Sequence, residues 1–198
     1  MESLWEQTWE QPIFPAQNGD LNTDVLIIGG GMAGVLCAYQ LHCAGVPYVL
    51  VEAETVCSGI TKNTTAKITS QHGLIYDKLI SRFGMERAKQ YLTANEAALQ
   101  TYRELCRKID CGFEEKAAYT YSLDDRRKIE RELNALEKLG FPAEFVDKLS
   151  LPFPVAGAVR FPNQAQFHPL KFVSGIVKGL HIHEHMRAPE LIGTTAVT

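Results

Sequence analysis

The sequence has 198 residues, 45% of them hydrophobic and 22% charged, which is enough apolar surface for one large domain or two small ones. A net charge of -3, with Lys and Arg scattered among acids, supplies no basic surface for a phosphate backbone, so nucleic acid is not an expected partner. The apolar runs are far below membrane-spanning length, the opening MESLWEQTWEQPIF has acids where a secretory signal needs basic residues, and the five cysteines are odd in number with no CxxC spacing; together these point to the cytoplasm, away from a membrane, with reduced thiols and a buried Cys37.

Residues 1–23 read as an irregular polar leader, punctuated by Pro12, Pro15 and the turn-formers Asn18, Gly19, Asp20 and Asn22, with Trp5 and Trp9 expected to pack it on the body. DVLII then reads as a fully buried strand. Gly34, Cys37, Ala38 and Leu41 fall at i, i+3, i+4 and i+7, one face of a helix that Gly45 closes with Pro47 just beyond. YVLVE, residues 48–52, is a second buried strand, and strand, turn, helix and strand in so short a span form a βαβ unit with parallel strands.

A polar loop follows over residues 57–73. Helices are predicted at 74–83 and 85–109, the second with a stripe of Ala88, Leu92, Leu99, Tyr102, Cys106 and Ile109. A strand is predicted at 113–122, then a helix over 123–139 started by a Ser122–Asp125 capping box and closed by Gly140. VAGAVRF, residues 155–161, reads as a strand, KFVSGIVKGL as a helix after Pro169, and HIHEHM, residues 181–186, as a short strand. The expected organisation is a leader (1–23), a nucleotide-binding βαβ with its loop (24–73), a helical and α+β portion on the substrate side (74–180) and a return to the first domain (181–198).

The chemistry sits in the glycines. Gly29, Gly31 and Gly34 satisfy GxGxxG between the first strand and the helix. The first glycine lets the chain turn sharply, the second lets backbone approach a pyrophosphate, and the third lets the helix lie close on the strand. The helix start, with Met32 and Ala33, offers free N–H groups and a positive dipole end to phosphates, and Glu52 beside Ala53 at the end of the second strand is placed to accept ribose hydroxyls. Strand, glycines, helix, strand and acid in this order indicate a dinucleotide. The motif alone leaves FAD and NAD open. The chain's departure into a polar loop and a long helical pair, in place of further βα units, favours a flavoprotein.

The fingerprint, Glu52 and the loop GITKNTTAKIT resemble the FAD-dependent oxidoreductases of the D-amino-acid oxidase and glycerol-3-phosphate dehydrogenase superfamily. NTTAKITSQHGLIYDKL, FPNQAQFHPLKF and the tryptophan-bearing leader resemble more closely a bacterial group within it, some members of which carry a C-terminal Rieske domain. The resemblance implies an α/β fold, a Rossmann-type FAD-binding βαβ with an inserted α+β substrate-side portion. It also puts Ser58, Gly59, Thr64, Thr65 and Ala66 on the cofactor. The implied activity is hydride transfer from a C–H next to an amine or hydroxyl of a small molecule to flavin N5, with electrons passing on to an acceptor the sequence does not identify. The superfamily's later Ala-Thr-Gly-like turn and Gly-Asp motif are not found in this sequence, so the chain is expected to be the N-terminal part of a longer enzyme, inactive by itself. A nicotinamide-dependent dehydrogenase or reductase and a non-catalytic nucleotide-binding fragment are the alternatives.

No nucleophile, general base or paired carboxylate stands out, and no catalytic residue is assigned. His181, His183 and His185, at spacing two, can share a strand face as metal ligands, but the intervening acid and missing fourth ligand favour a structural segment and no metal is assigned. His72 reads as the cap of a following helix, with a flavin-facing role as the alternative. Gln164, Gln166 and His168 read as helix caps and strand-end partners, with the substrate side of the flavin as theirs.

Overall fold

Val25–Ile28, four branched apolar residues in a row, form strand β1; Met32–Cys43 form helix α1; Tyr48–Val51 form β2. In chain order there follow β3 (Lys67–Ile68), α2 (Tyr76–Phe83), α3 (Met85–Cys106), β4 (Glu114–Ser122), α4 (Arg126–Leu139), β5 (Glu144–Val146), β6 (Gly157–Gln166), α5 (Pro169–Ile176), β7 (Ile182–His183), β8 (Glu190–Ile192) and β9 (Thr195–Val197). This computed structural model describes residues 3–192 and 195–197, with residues 191, 192 and 195–197 described by backbone alone. Parts of the leader and of the 181–198 return segment therefore lie outside the described residues.

The chain divides into two compact units, the first comprising Met1–Ala66, Ile109–Cys111 and His168–Thr198, the second Lys67–Lys108 and Gly112–Phe167. These boundaries differ from those expected at residues 73 and 180. β3 pairs with β6, Lys67 opposite Gln166 and Ile68 opposite Ala165, which draws the end of the polar loop into the second unit, while α5 packs on α1 in the first.

In the first unit β1 and β2 run parallel, Val25 opposite Tyr48 and Ile28 opposite Val51, and β7 adds a second parallel neighbour to β2. β2 lies between two strands and is buried at every residue. β1 was expected to be equally buried. It alternates instead, with Leu26 37% and Ile28 50% exposed: successive side chains of a strand point to opposite faces of the sheet, and the face that carries Leu26 and Ile28 is only partly covered. α1 buries Val35 and Ala38. The expected stripe through Cys37 fails because α1 is apolar on most sides, and Cys37, about 200° around the helix from Val35, is exposed.

The leader is tied down by its tryptophans. Trp5 donates its indole N–H to the Thr64 carbonyl at 2.9 Å and Trp9 donates to Ser174 Oγ at 2.6 Å. α5 starts where His168 Nδ1 accepts the Lys171 N–H at 3.2 Å, with Pro169 in the first turn.

In the second unit β6 is the central strand of an antiparallel sheet, with β4 along one side and β3 and β5 on the other. Tyr76, Ile129, Leu136, Val159 and Phe161 form its core. α4 begins at Arg126, one turn later than expected, because Asp125 is its N-cap: its carboxylate accepts the Lys128 N–H at 3.2 Å, while Ser122 Oγ accepts the Asp125 N–H and supports the preceding turn. α2 has no cap from its own segment. Buried Glu132 of α4 accepts the N–H groups of Ile75 and Tyr76 at 2.9 Å and of Asp77 at 3.0 Å. The capping role expected of His72 is thus filled from elsewhere, and His72 Nδ1 lies 2.8 Å from the Tyr91 hydroxyl. Among the described residues no helix is long and apolar enough to cross a membrane.

Candidate functional site

The four glycines after β1 differ in what holds them to glycine. Gly29 has φ +107°, a conformation that side chains rarely adopt, and its N–H donates to the Val51 carbonyl at 2.8 Å, so the chain leaves the sheet sharply at its last ladder bond. A Cβ on Gly30 would press on Glu52 Cβ at 3.1 Å and Val56 Cγ2 at 3.2 Å, and one on Gly34 would overlap the Gly29 carbonyl oxygen. Gly31 is under no such pressure. It has φ -72° and ψ 177°, open to any residue, and the nearest atom to a Cβ there is Thr61 Oγ1 at 3.9 Å. Backbone conformation therefore explains Gly29 and packing explains Gly30 and Gly34, but neither explains Gly31, where there is room for a Cβ at the start of α1.

Gly31 is also the N-cap of α1 and gives the helix no side-chain cap. Of the first-turn donors, Met32 N–H goes to Thr61 Oγ1 at 3.2 Å. By helix geometry the Ala33 and Gly34 N–H groups point out of the same end, beside the positive pole of the helix dipole.

Glu52 lies against this turn. Its Oε2 accepts the Gly30 N–H at 2.6 Å and its Oε1 the Glu54 N–H at 3.0 Å. Each carboxylate oxygen has two lone-pair directions, so one N–H apiece orients the group and leaves acceptor capacity for hydroxyls. Ala53 beside it is exposed. Cys57 N–H donates to the Gly30 carbonyl at 3.0 Å. The Cys57 thiol is pushed up to about 11 by burial, only partly offset by its hydrogen bond with Thr61, so it stays protonated at neutral pH and is no nucleophile.

The loop residues assigned to the cofactor fall into two groups. Ser58, whose N–H donates to the Thr55 carbonyl at 3.1 Å, and exposed Gly59, just before the 3-10 turn Ile60–Asn63, adjoin the glycine turn through Cys57 and Thr61. Thr64, Thr65 and Ala66 sit at the loop's other end, joined to the leader through Trp5. Thr64 Oγ1 accepts the Ala66 N–H at 3.3 Å, holding buried Ala66 at φ +58°, an uncommon conformation for alanine. Glu6 of the leader pairs with Lys62 at 2.8 Å across this loop.

The three histidines of HIHEHM do not converge. His181 stacks on Tyr48 with centroids 5.8 Å apart, His183 Nδ1 lies 3.3 Å from the Pro15 carbonyl, and His185 is exposed at φ +59°. Among the described residues no group of three His, Cys, Asp or Glu side chains is arranged to hold a metal. His168 Nε2 lies 2.9 Å from Thr8 Oγ1. In the second unit Gln164 accepts the Ser70 N–H at 2.8 Å and Gln166 donates to Glu114 at 3.0 Å.

Two site residues had not been singled out in the sequence. Thr61 lay within a run of hydroxyl residues, and nothing local distinguishes the one that meets Met32. Glu184 had counted only against a metal reading of its histidines, yet it is buried and its carboxylate accepts the Val56 N–H at 2.7 Å.

Residues 24–193 match the family model described as DAO, FAD dependent oxidoreductase. Among curated proteins the chain is similar to YhfW of Bacillus subtilis (strain 168), named as a Rieske 2Fe-2S iron-sulfur protein, at 37% identity over 96% of this chain and 39% of that protein. It is also similar to gamma-glutamylputrescine oxidoreductase of Escherichia coli (strain K12), at 22% identity over 86% of this chain and 42% of that protein. Of solved structures, L-proline dehydrogenase from P. horikoshii aligns with a TM-score of 0.66 at 16% identity, covering 90% of this chain and 46% of its own. Glycine oxidase from Geobacillus kaustophilus aligns with a TM-score of 0.64 at 18% identity, covering 87% and 49%. These structural likenesses show the fold, and the chain spans 39% to 42% of the length of these two curated relatives.

Proposed function

The chain belongs to the DAO family of FAD dependent oxidoreductases, and from that premise we propose that its first unit holds the adenosine diphosphate half of FAD in a protein that oxidises a small amine or hydroxy compound. The observation that carries this reading is Gly31, the one glycine of the turn whose missing Cβ nothing inside the protein requires. A diphosphate lying over Gly29 and Gly31 would meet backbone directly and face the N–H groups at the start of α1, at Met32, Ala33 and Gly34. Glu52, oriented by Gly30 and Glu54, would accept the ribose hydroxyls. Ser58, Gly59, Thr64, Thr65 and Ala66 would follow the cofactor onward, with Trp5 steadying the loop at Thr64.

When bound, FAD supplies the acceptor for the two electrons of a C–H bond beside an amine or hydroxyl. The residues of this chain contribute binding and orientation: the turn and Glu52 fix one end of the cofactor before the reacting end is placed. The likeness to a gamma-glutamylputrescine oxidoreductase, a glycine oxidase and an L-proline dehydrogenase favours the amine side. The partners are then a small-molecule substrate and a separate electron acceptor, and the five free cysteines accord with a cytoplasmic setting.

The full-length protein, purified and scanned for flavin absorbance, should release FAD on acid or heat treatment and bleach anaerobically with a member of a panel of amines and hydroxy acids. Protein without flavin absorbance that regains none on adding FAD would overturn the reading.

A further inference from the structure

The segment HIHEHM lies along the turn that follows β2 and holds it at four successive points. His183 carbonyl accepts the Glu52 N–H at 2.9 Å, Met186 N–H donates to the Glu52 carbonyl at 2.8 Å, and His185 N–H donates to the Glu54 carbonyl at 3.1 Å. Glu184 adds the fourth, accepting the Val56 N–H with Oε1 at 2.7 Å, while its Oε2 accepts the Phe14 N–H from the leader at 3.1 Å. Val56 in turn backs the glycine turn, since its Cγ2 is 3.2 Å from where a Gly30 Cβ would stand.

Two features set this brace apart from ordinary packing. Glu184 is 1% exposed and the two described hydrogen bonds to its carboxylate both come from backbone N–H groups, an expensive way to join two loops, because a buried carboxylate loses its hydration and depends on such donors to offset the loss. His185 stands at φ +59°, where a non-glycine residue is uncommon, and so turns its N–H onto Glu54. A costly carboxylate and an unfavourable backbone angle in adjacent residues both act on residues 54–56, between Glu52 and the Cys57 N–H that meets Gly30.

We propose that Glu184 is a positioning residue for the adenosine end of the cofactor site. It acts through Val56 and the following Cys57 to keep Gly30 and Glu52 in place before a ligand arrives, so that binding does not have to order them. The inference rests on the FAD reading above and adds to it a residue that touches no part of the cofactor.

The test uses full-length apoprotein and two probes, FAD and ADP, the second reporting the adenosine end alone. Glu184→Gln keeps the shape but offers one acceptor oxygen and an NH2 group, so one of the two N–H groups loses its acceptor. Its Kd for FAD and for ADP should both rise about tenfold, the effect of one lost charge-assisted hydrogen bond. Glu132→Gln, which disturbs the cap of α2 in the other unit, should lower Tm and leave both Kd values unchanged. Wild-type affinity in Glu184→Gln, or equal weakening in Glu132→Gln, would overturn the proposal, whereas a wild-type protein that binds no FAD would overturn the function itself. Should Glu184→Gln not fold, hydrogen exchange of the wild-type peptide over residues 52–57 decides: slow exchange before FAD is added supports a preformed brace, and fast exchange slowed only by FAD contradicts it.

Discussion

The carboxylate of Glu52 accepts the backbone N–H of Gly30 at 2.6 Å, joining the end of β2 to the turn that leaves β1. The bond aims the acid across the glycine turn. Glu52→Ala removes both this bond and the one from Glu54. FAD affinity in the full-length apoprotein should fall by about 1–3 kcal/mol, the range for leaving polar groups unpaired. Isothermal titration checks it, and unchanged affinity would show that the acid does not meet the ribose.

The leader holds the loop before β3 through an ion pair as well as through the Trp5 hydrogen bond. Hydrogen bonding to Lys62, then to the Ser3 N–H, pulls the Glu6 carboxyl from its ordinary value of 4.5 down to about 2. A carboxyl with a depressed folded-state pKa stabilises the fold at pH values above its unfolded value, and that contribution is lost as pH falls through the folded one. The Glu6–Lys62 pair should therefore persist through mildly acid conditions and fail between about pH 4.5 and pH 2. Acrylamide quenching of tryptophan should rise over that window in the wild type, as Trp5 loosens from Thr64, and should already be raised at pH 7 in Glu6→Gln. A wild-type transition near neutrality would contradict the pairing.

β1 has β2 as its one neighbour among the described residues, so its other backbone edge is unpaired there, and on its face Leu26 and Ile28 are 37% and 50% exposed. Open strand edges of this kind pair with whatever strand is available. The 198-residue chain prepared alone should self-associate in a concentration-dependent way by light scattering. Ile28→Lys should reduce that association, and a monodisperse wild-type chain at high concentration would remove the case for an open edge.

The βαβ unit was legible because its signals are local. Gly29, Gly31, Gly34 and Glu52 are fixed by spacing within one βαβ unit, and the parallel pairing of β1 with β2 follows from that unit. The exposure of Ile28 was not legible, since whether one face of a strand is covered depends on what packs against it in space. α4 takes Asp125 and not Ser122 as its N-cap because both residues can cap and only the three-dimensional path of the turn chooses between them. β3 and β5, two and three residues long, are too short to show a period and exist through pairing with β6. Glu132 and Glu184 were hidden for the same reason: their partners Ile75 and Val56 lie 57 and 128 residues away, and no local pattern marks an acid that will meet a distant N–H.

The most direct test is a paired measurement of FAD affinity and thermal unfolding on Gly31→Val and Gly34→Ala in the full-length apoprotein. Gly31 has an ordinary backbone angle and nothing closer than 3.9 Å to a new Cβ, so valine there should cost the fold no more than about 1 kcal/mol, the scale of an N-cap change, while abolishing FAD binding. Gly34→Ala drives a methyl into the Gly29 carbonyl and should destabilise the apoprotein by about 1–3 kcal/mol. A Gly31→Val protein that is folded and binds FAD with wild-type affinity would contradict the assignment of this turn to the cofactor's diphosphate.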